Sequence, residues 1–122
     1  MDAFTRGYVD AALWVFQLDG LGIDLPADLQ AQADEDCLAF QEDNKADLDA
    51  THEAWGAARE YRHDAEQMGH DFYLTRERHG AGYWDGDYPH DVGRRLTDEA
   101  HAYGPWDEFT AWAMEQNEEE AT

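Results

Sequence analysis

The stretch GHDFYLTRERHGAGYWD, from Gly69 to Asp85, decides the fold that we predict for this chain. Its first part, Asp71–Arg76, is rich in aromatic and other residues that favour strands. Gly80–Gly82 follows as a tight turn that needs a positive φ, and the apolar pattern resumes at Tyr83–Asp85. We therefore predict a β-hairpin over Phe72–Trp84.

Helical spacing of apolar residues marks most of the remaining chain. It extends over Phe4–Phe16, which predicts a first helix of about four turns. A second helix begins at Pro26, and its apolar stripe reaches Leu48. A later helix ends at Tyr103, before a Gly-Pro pair, and Trp106–Met114 fits either a strand or a short helix.

These elements predict a single α+β domain over residues 1–122, with two N-terminal helices packed on a small antiparallel sheet that contains the hairpin. The composition agrees with a folded chain, because 43% of the residues are hydrophobic and 13% are aromatic. We expect the acidic tail, residues 115–122, to be frayed.

The net charge restricts the classes of partner. Asp and Glu outnumber Lys and Arg by 29 to 8, which gives a formal net charge of −21 at pH 7. Solubility of a small domain needs a charge of only about 2 to 8 in magnitude, and a larger one destabilises the compact state by self-repulsion. The excess excludes direct binding to nucleic acid or an anionic membrane, which needs a basic patch, and favours a basic protein as partner.

We predict that acids of the second helix imitate the phosphates of DNA. Carboxylates four residues apart lie about 6 Å apart along a helix axis, near the spacing of phosphates along a DNA strand. They would bind the Arg and Lys side chains of a groove built for DNA, and exposed aromatic residues would add apolar specificity. The predicted partner-binding residues are Asp34, Glu35, Asp36, Glu42, Asp43, Asp47, Asp49, Tyr73 and Trp84.

The predicted function is inhibition of a DNA-binding host enzyme, without catalysis. Restriction enzymes, CRISPR effectors and repair enzymes such as uracil-DNA glycosylase all fit, and the sequence chooses neither among them nor between oligomeric states. The chain contains no Ser, and its single cysteine, Cys37, lies on the apolar stripe of the second helix, so nothing indicates a nucleophile. We predict no catalytic residue, no cofactor and no metal.

Two other interpretations fit the same sequence. Seventeen Asp, twelve Glu and one Lys also suit a salt-adapted protein, because the Debye length falls to about 3 Å at 1 M salt and the charges are then screened. A small metal-dependent enzyme is the other, since His and carboxylate ligands suit zinc, iron or manganese. Its ligands would come from residues around the hairpin, namely His63, His70, Asp71, His79, Asp85, Asp87 and His90.

The sequence also bears on location. No apolar run approaches the length of about 20 residues that a membrane span requires, and the N-terminus lacks the features of a secretory signal. A single cysteine excludes an intramolecular disulfide. We therefore expect a cytoplasmic protein.

The segment quoted first also resembles the signature of a family. With the pattern GHDF-x-LTR-x-x-HGAG-[FY]-WD, it is similar to small acidic open reading frames that are common in bacteriophages, plasmids and bacterial genomes. Further matches lie at Phe4–Tyr8, Ala11–Trp14, Cys37–Phe40, Arg95–Thr97 and Ala102–Gly104. The family has no established catalytic residues, so the resemblance implies a mobile-element origin and no particular reaction.

Overall fold

The computed structural model of the chain is built from helices. It describes residues 1–56, 60–84 and 87–121, without the side chains at 90, 120 and 121. Over these ranges the chain forms six helices, which are α1 (Ala3–Val15), α2 (Ala27–Asp43), α3 (Lys45–Trp55), α4 (Tyr61–Arg76), α5 (His90–Tyr103) and α6 (Asp107–Ala121). The same ranges contain no β-strand, so the predicted α+β class and antiparallel sheet are wrong.

The segment predicted as a hairpin is the second half of α4 followed by turns. Phe72–Arg76 continues the helix that begins at Tyr61, and residues 77–84 contain no strand. Every residue of Met68–Arg76 except His70 is buried. Burial therefore extends around the helix, and the segment lacks the apolar periodicity that separates a helix from a strand. Burial on nearly all sides of the helix, rather than strand pairing, explains the aromatic content of this segment.

The turn predicted at Gly80–Gly82 is present, although it does not join two strands. Gly80 and Gly82 have φ values of 75° and 132°, which favour glycine. A Cβ atom at Gly82 would collide with the Thr75 side chain, and the Tyr83 backbone N–H donates to Thr75 Oγ1 at 3.0 Å. The turn therefore folds the chain back onto the last part of α4.

Helices α1 and α4 cross at two glycines. A Cβ atom on Gly7 would collide with the backbone of Glu66, and a Cβ atom on Gly69 would collide with the backbone of Phe4. The two backbones therefore touch, which requires glycine at both positions. Gly69, which the sequence pattern places just before the hairpin, is instead a contact residue in the middle of α4.

Aromatic side chains fill the core around this crossing. The rings of Phe40 and Phe72 stack with their centroids 4.1 Å apart. The Tyr8 ring lies 5.2 Å from the rings of both Phe72 and Trp106. Buried apolar residues from all six helices form one cluster. Much of the aromatic content of the sequence is therefore core.

The long helix predicted from Pro26 to Leu48 is broken at Asn44 into α2 and α3. Asn44 is buried, and its Nδ2 donates to the Phe40 carbonyl oxygen at 2.9 Å. Its φ of −119° and ψ of 21° lie outside the helical range. The two helices therefore meet at an elbow, and their acidic residues do not follow a single helical surface.

The remaining helical predictions agree with the structure. Helices α1 and α5 confirm those predicted over Phe4–Phe16 and up to Tyr103. Trp106–Met114 runs into α6, so its helical alternative is the right one. Fraying of the acidic tail over 115–122 stays a prediction, and Thr122 lies outside the described residues.

Candidate acidic interface

The acids are unevenly distributed among the helices. Helices α2 and α3 together carry nine Asp and Glu residues and one Lys, and α6 carries six acids and no basic residue. Helices α1, α4 and α5 together carry seven acids and five Arg residues. The negative charge is therefore concentrated on α2, α3 and α6, whereas the other three helices are nearly balanced.

The outward face of α2 carries a regular row of three exposed carboxylates. Asp28, Glu35 and Glu42 are seven residues apart, and residues at this spacing lie within about 20° of one another around a helix. Their neighbours along the row are about 10.5 Å apart along the axis. The row lies opposite the buried stripe of α2, which consists of Leu29, Ala33, Cys37 and Phe40.

Two of the predicted acids connect helices through ion pairs. Asp36 Oδ2 accepts from Arg76 Nη1 at 2.8 Å, which joins α2 to α4. The Asp47 carboxylate accepts from Nε and Nη2 of Arg95 at 2.9 and 2.7 Å, which joins α3 to α5. The fold therefore uses both charges internally, and they are less available to a partner than unpaired carboxylates.

The other predicted acids lie on the surface. Asp49 accepts from Lys45 Nζ at 2.7 Å, and Asp34 accepts from Gln30 Nε2 at 3.0 Å, each from one turn earlier on its own helix. The remaining three form no hydrogen bond or ion pair with the described residues, and they are Glu35, Glu42 and Asp43. These three exposed carboxylates are therefore open, in the sense that the described residues do not pair with them and they are available to a partner.

The spacing of the acids differs from the predicted phosphate-like row. Asp43 and Asp47 are four residues apart but lie on different helices, because Asn44 separates α2 from α3. The acids of α2 instead occur as Asp28, the run Asp34–Asp36 and the pair Glu42–Asp43. These three groups repeat every seven residues, at about 10.5 Å along the axis rather than at the expected spacing of about 6 Å.

Acids of α2 and α5 converge around Tyr103. Burial raises the pKa of the Tyr103 phenol above its usual value. Asp43 and Asp36 raise this pKa further from α2, as does Glu99 from α5. The Arg76 guanidinium, 5.6 Å from the Tyr103 ring centroid, acts in the opposite direction. Because Glu99 is exposed, it extends the negative surface from α2 onto α5.

The two predicted aromatic contacts lie in different environments. Tyr73 is fully buried, and its ring centroid is 5.5 Å from that of Tyr8. It therefore offers no surface to a partner while the chain is folded, and the structure does not support it as a partner-binding residue. Trp84 is 56% exposed and stays a candidate contact residue.

The His and Asp residues considered as metal ligands do not converge in the described ranges. No group of three or more His, Cys, Asp or Glu residues there could hold a metal ion. Asp71 is buried and accepts from Tyr88 Oη at 2.6 Å and from Gln67 Nε2 at 3.1 Å. The other candidate metal ligands in the described ranges, which are exposed or half-buried, are His63, His70, His79 and Asp87. Asp85 and the side chain of His90 lie outside the described residues.

Two residues of this surface are missing from the predicted set. Asp28 is missing, although its seven-residue spacing from Glu35 is a signal that the sequence contains. Tyr61 is also missing, and it is half exposed beside Lys45. No sequence signal identifies Tyr61, because its position depends on the elbow at Asn44 and on where α4 begins.

Models of known families, curated proteins and solved structures give no match to this chain. The resemblance to small acidic open reading frames therefore stays a prediction. Among the described residues, no helix combines the length and the apolar character that crossing a membrane requires.

Proposed function

We propose that this protein binds the DNA-binding surface of a basic host protein and so keeps DNA away from it. The observation that supports the proposal is the outward face of α2, where Asp28, Glu35 and Glu42 form an exposed row beside Asp43. Glu35, Glu42 and Asp43 have no ion-pair partner among the described residues. The protein acts as a stoichiometric inhibitor, without catalysis and without a cofactor.

The physical basis is the likeness between carboxylate and phosphate oxygens. Both accept charge-assisted hydrogen bonds, and Arg binds both in a bidentate manner. Helix α2 has 17 residues, which corresponds to a rod about 25 Å long. The net charge of −21 adds long-range attraction to any basic groove, and this attraction is screened by salt.

Three classes of host enzyme suit such an inhibitor. Restriction endonucleases, CRISPR effectors and uracil-DNA glycosylase all hold DNA, and binding its phosphates requires basic residues. The proposed setting is the cytoplasm of a host cell, where these enzymes act on DNA. The resemblance to mobile-element reading frames and the single, buried Cys37 support this setting.

The test is displacement of duplex DNA from one enzyme of each class at increasing salt. We expect the protein to displace DNA from at least one of them, with an affinity that falls steeply as salt rises. The triple variant Glu35→Gln/Glu42→Gln/Asp43→Asn removes three open charges from α2. It should lose about tenfold in affinity, as expected for three exposed ion pairs of about 0.5 kcal/mol each.

A matched variant separates the α2 face from net charge. Asp19→Asn/Asp24→Asn/Glu115→Gln removes the same number of charges from exposed positions elsewhere. It should keep its affinity within about twofold of the unmodified protein, because these charges lie off the proposed contact surface. Equal losses of affinity in the two variants would rule out the α2 face as the contact surface. DNA that stays bound to all three enzymes would rule out the proposed target classes.

Helix α6 favours a second candidate, which is adaptation to high salt without a DNA-like role. Its six acids lie outside the α2 row, and no basic residue accompanies them along the helix. Urea unfolding at low ionic strength and at about 1 M salt, where screening is nearly complete, separates the candidates. A salt-adapted chain folds only in high salt, whereas an inhibitor that competes with DNA has to be folded at low ionic strength.

A further inference from the structure

A groove lies at the elbow between α2 and α3, where the first residue of α4 closes one side. Its volume is about 190 Å³. The lining residues are Gln41, Glu42, Lys45, Leu48, Asp49 and Tyr61. The groove borders the acidic face of α2, because Glu42 belongs to both.

The inner surface of the groove is largely apolar. Leu48 is buried and lines the groove. The His52 and Tyr61 rings are in edge contact, with their centroids 4.9 Å apart and an interplanar angle of 88°. Tyr61 is nevertheless 50% exposed. An open aromatic ring of this kind attracts a cation to its face.

The charged groups around the groove leave a negative excess. Lys45 Nζ lies 2.7 Å from Asp49 Oδ2, so these two charges compensate each other. Glu42 has no ion-pair partner among the described residues. Gln41 Nε2 donates to Asp2 Oδ2 at 3.1 Å, which holds a further carboxylate beside the groove. The groove is therefore complementary to a positively charged group with an apolar surface.

We propose that this groove takes an arginine side chain of the basic partner, an inference that rests on the proposed function. The guanidinium group is planar and weakly hydrated, stacks on aromatic rings and binds carboxylates through parallel N–H donors. Tyr61 supplies the ring and Glu42 supplies the open carboxylate. The ammonium group of Lys is a strongly hydrated point charge, so it gains less from this combination.

Hexa-arginine and hexa-lysine peptides have the same formal charge and serve as probes in titration calorimetry. We expect the unmodified protein to bind the arginine peptide more tightly. Tyr61→Leu should lower the affinity for the arginine peptide about two- to fivefold, the strength of an exposed cation–π contact, and should lower the affinity for the lysine peptide by a smaller factor. Glu42→Gln should lower the affinity for the arginine peptide more than the affinity for the lysine peptide.

Glu35→Gln is the matched control, because it removes one charge from the same face of α2 one heptad away from Glu42. It should lower the affinity for both peptides by the same factor. The groove is excluded as an arginine site if Tyr61→Leu binds both peptides as tightly as the unmodified protein does. It is also excluded if Glu35→Gln loses the preference for the arginine peptide as fully as Glu42→Gln does. Either result leaves the proposed function intact, provided that the unmodified protein displaces DNA and that the triple α2 variant does so with about tenfold lower affinity.

A measurement on the unmodified protein removes any dependence on how the variants fold. The arginine peptide should shift the NMR signals of the Tyr61 ring more than the lysine peptide does, and equal shifts would contradict the proposal. If DNA stayed bound to all the enzymes tested, the proposed target classes would be ruled out, and the groove would have no role as a binding site for these partners.

Discussion

Arg76 and Asp36 form an ion pair at the edge of the core, with Arg76 Nη1 2.8 Å from Asp36 Oδ2. The same Nη1 donates to Tyr8 Oη at 2.8 Å, and Arg76 Nε donates to the Gly104 carbonyl oxygen at 2.6 Å. The Arg76 side chain is only 7% exposed. One buried cation therefore connects α1, α2, α4 and the residue that follows α5.

Replacing Arg76 with Met should lower the free energy of unfolding by about 3 kcal/mol, because Asp36 and the other acceptors lose their donor. Arg76→Lys should not restore it, since an ammonium group cannot reproduce the fork of guanidinium donors. Urea unfolding followed by circular dichroism measures both variants. Arg62→Met removes an exposed Arg from the same helix and should change the free energy by less than about 0.5 kcal/mol. Similar losses in Arg62→Met and Arg76→Met would contradict the structural role of the buried pair.

Alanine at Gly7 or at Gly69 should destabilise the protein, because the added Cβ atom meets the backbone of the opposing helix. We expect a loss of about 1 to 3 kcal/mol in the free energy of unfolding, as for other overpacked sites. At an open helical position the same change would be stabilising by about 1 kcal/mol, so the sign of the effect is diagnostic.

Thermal and urea unfolding give that sign, and Ala31→Gly is the control, because it makes the reverse exchange at an exposed position of α2. The free energy of unfolding of this control should fall by about 1 kcal/mol, since alanine is the better helix former where nothing packs against it. A gain in stability from alanine at Gly7 or Gly69 would show that the two backbones do not touch.

Two buried tyrosines should respond in opposite ways to loss of the hydroxyl group. Tyr73 Oη is buried and has no hydrogen-bond partner within the described part of the chain, so Tyr73→Phe should stabilise the protein by about 1 kcal/mol. Tyr83 Oη donates to the Met68 carbonyl oxygen at 2.6 Å, so Tyr83→Phe should destabilise it by about 1 kcal/mol. Urea unfolding of the two variants side by side is the measurement. Changes of the same sign would show that the hydroxyl environments are misassigned.

Stability should fall at alkaline pH because of buried tyrosines. Burial raises the pKa values of Tyr8 and Tyr83 well above the usual value of 10.0. The folded state therefore favours the neutral phenols, whereas the unfolded chain ionises near pH 10. The stabilisation from these two groups is fully present below pH 10 and is lost as the pH rises from there towards the folded-state pKa values. The free energy of unfolding should fall by about 1.4 kcal/mol per pH unit for each group.

Urea titrations at a series of pH values, with tyrosinate absorbance recorded in parallel, test this dependence. Tyr83→Phe removes one of the two groups, so its stability should fall less steeply with pH. A free energy of unfolding that stays constant above pH 10 would show that these phenols ionise equally well in both states.

The sequence predicts helices where apolar residues recur every three or four positions among polar ones, and it fails where burial is nearly complete. Helix α1 has a polar side and is recognised at Phe4–Phe16. Nearly all residues of the segment Met68–Arg76 are buried, so its composition favours a strand although its backbone is helical. The positive φ predicted for Gly80 and Gly82 is correct, but a turn does not specify the elements that it joins.

The candidate interface is predictable only in part, for a related reason. The sequence places acids on α2, yet it does not tell which of them are neutralised by distant residues. Asp36 pairs with Arg76, and Asp47 pairs with Arg95, far apart along the chain. These contacts depend on how the helices pack. Composition thus predicts the sign of the surface charge, and tertiary structure determines which carboxylates remain open.

The contact at Gly7 and Gly69 also has an evolutionary consequence. Each glycine accommodates the opposing helix rather than a ligand, so any homologue that keeps this crossing has to keep both positions small, whatever its surface charge. A homologue that had lost most of its acidity would still be recognised by this pair of glycines.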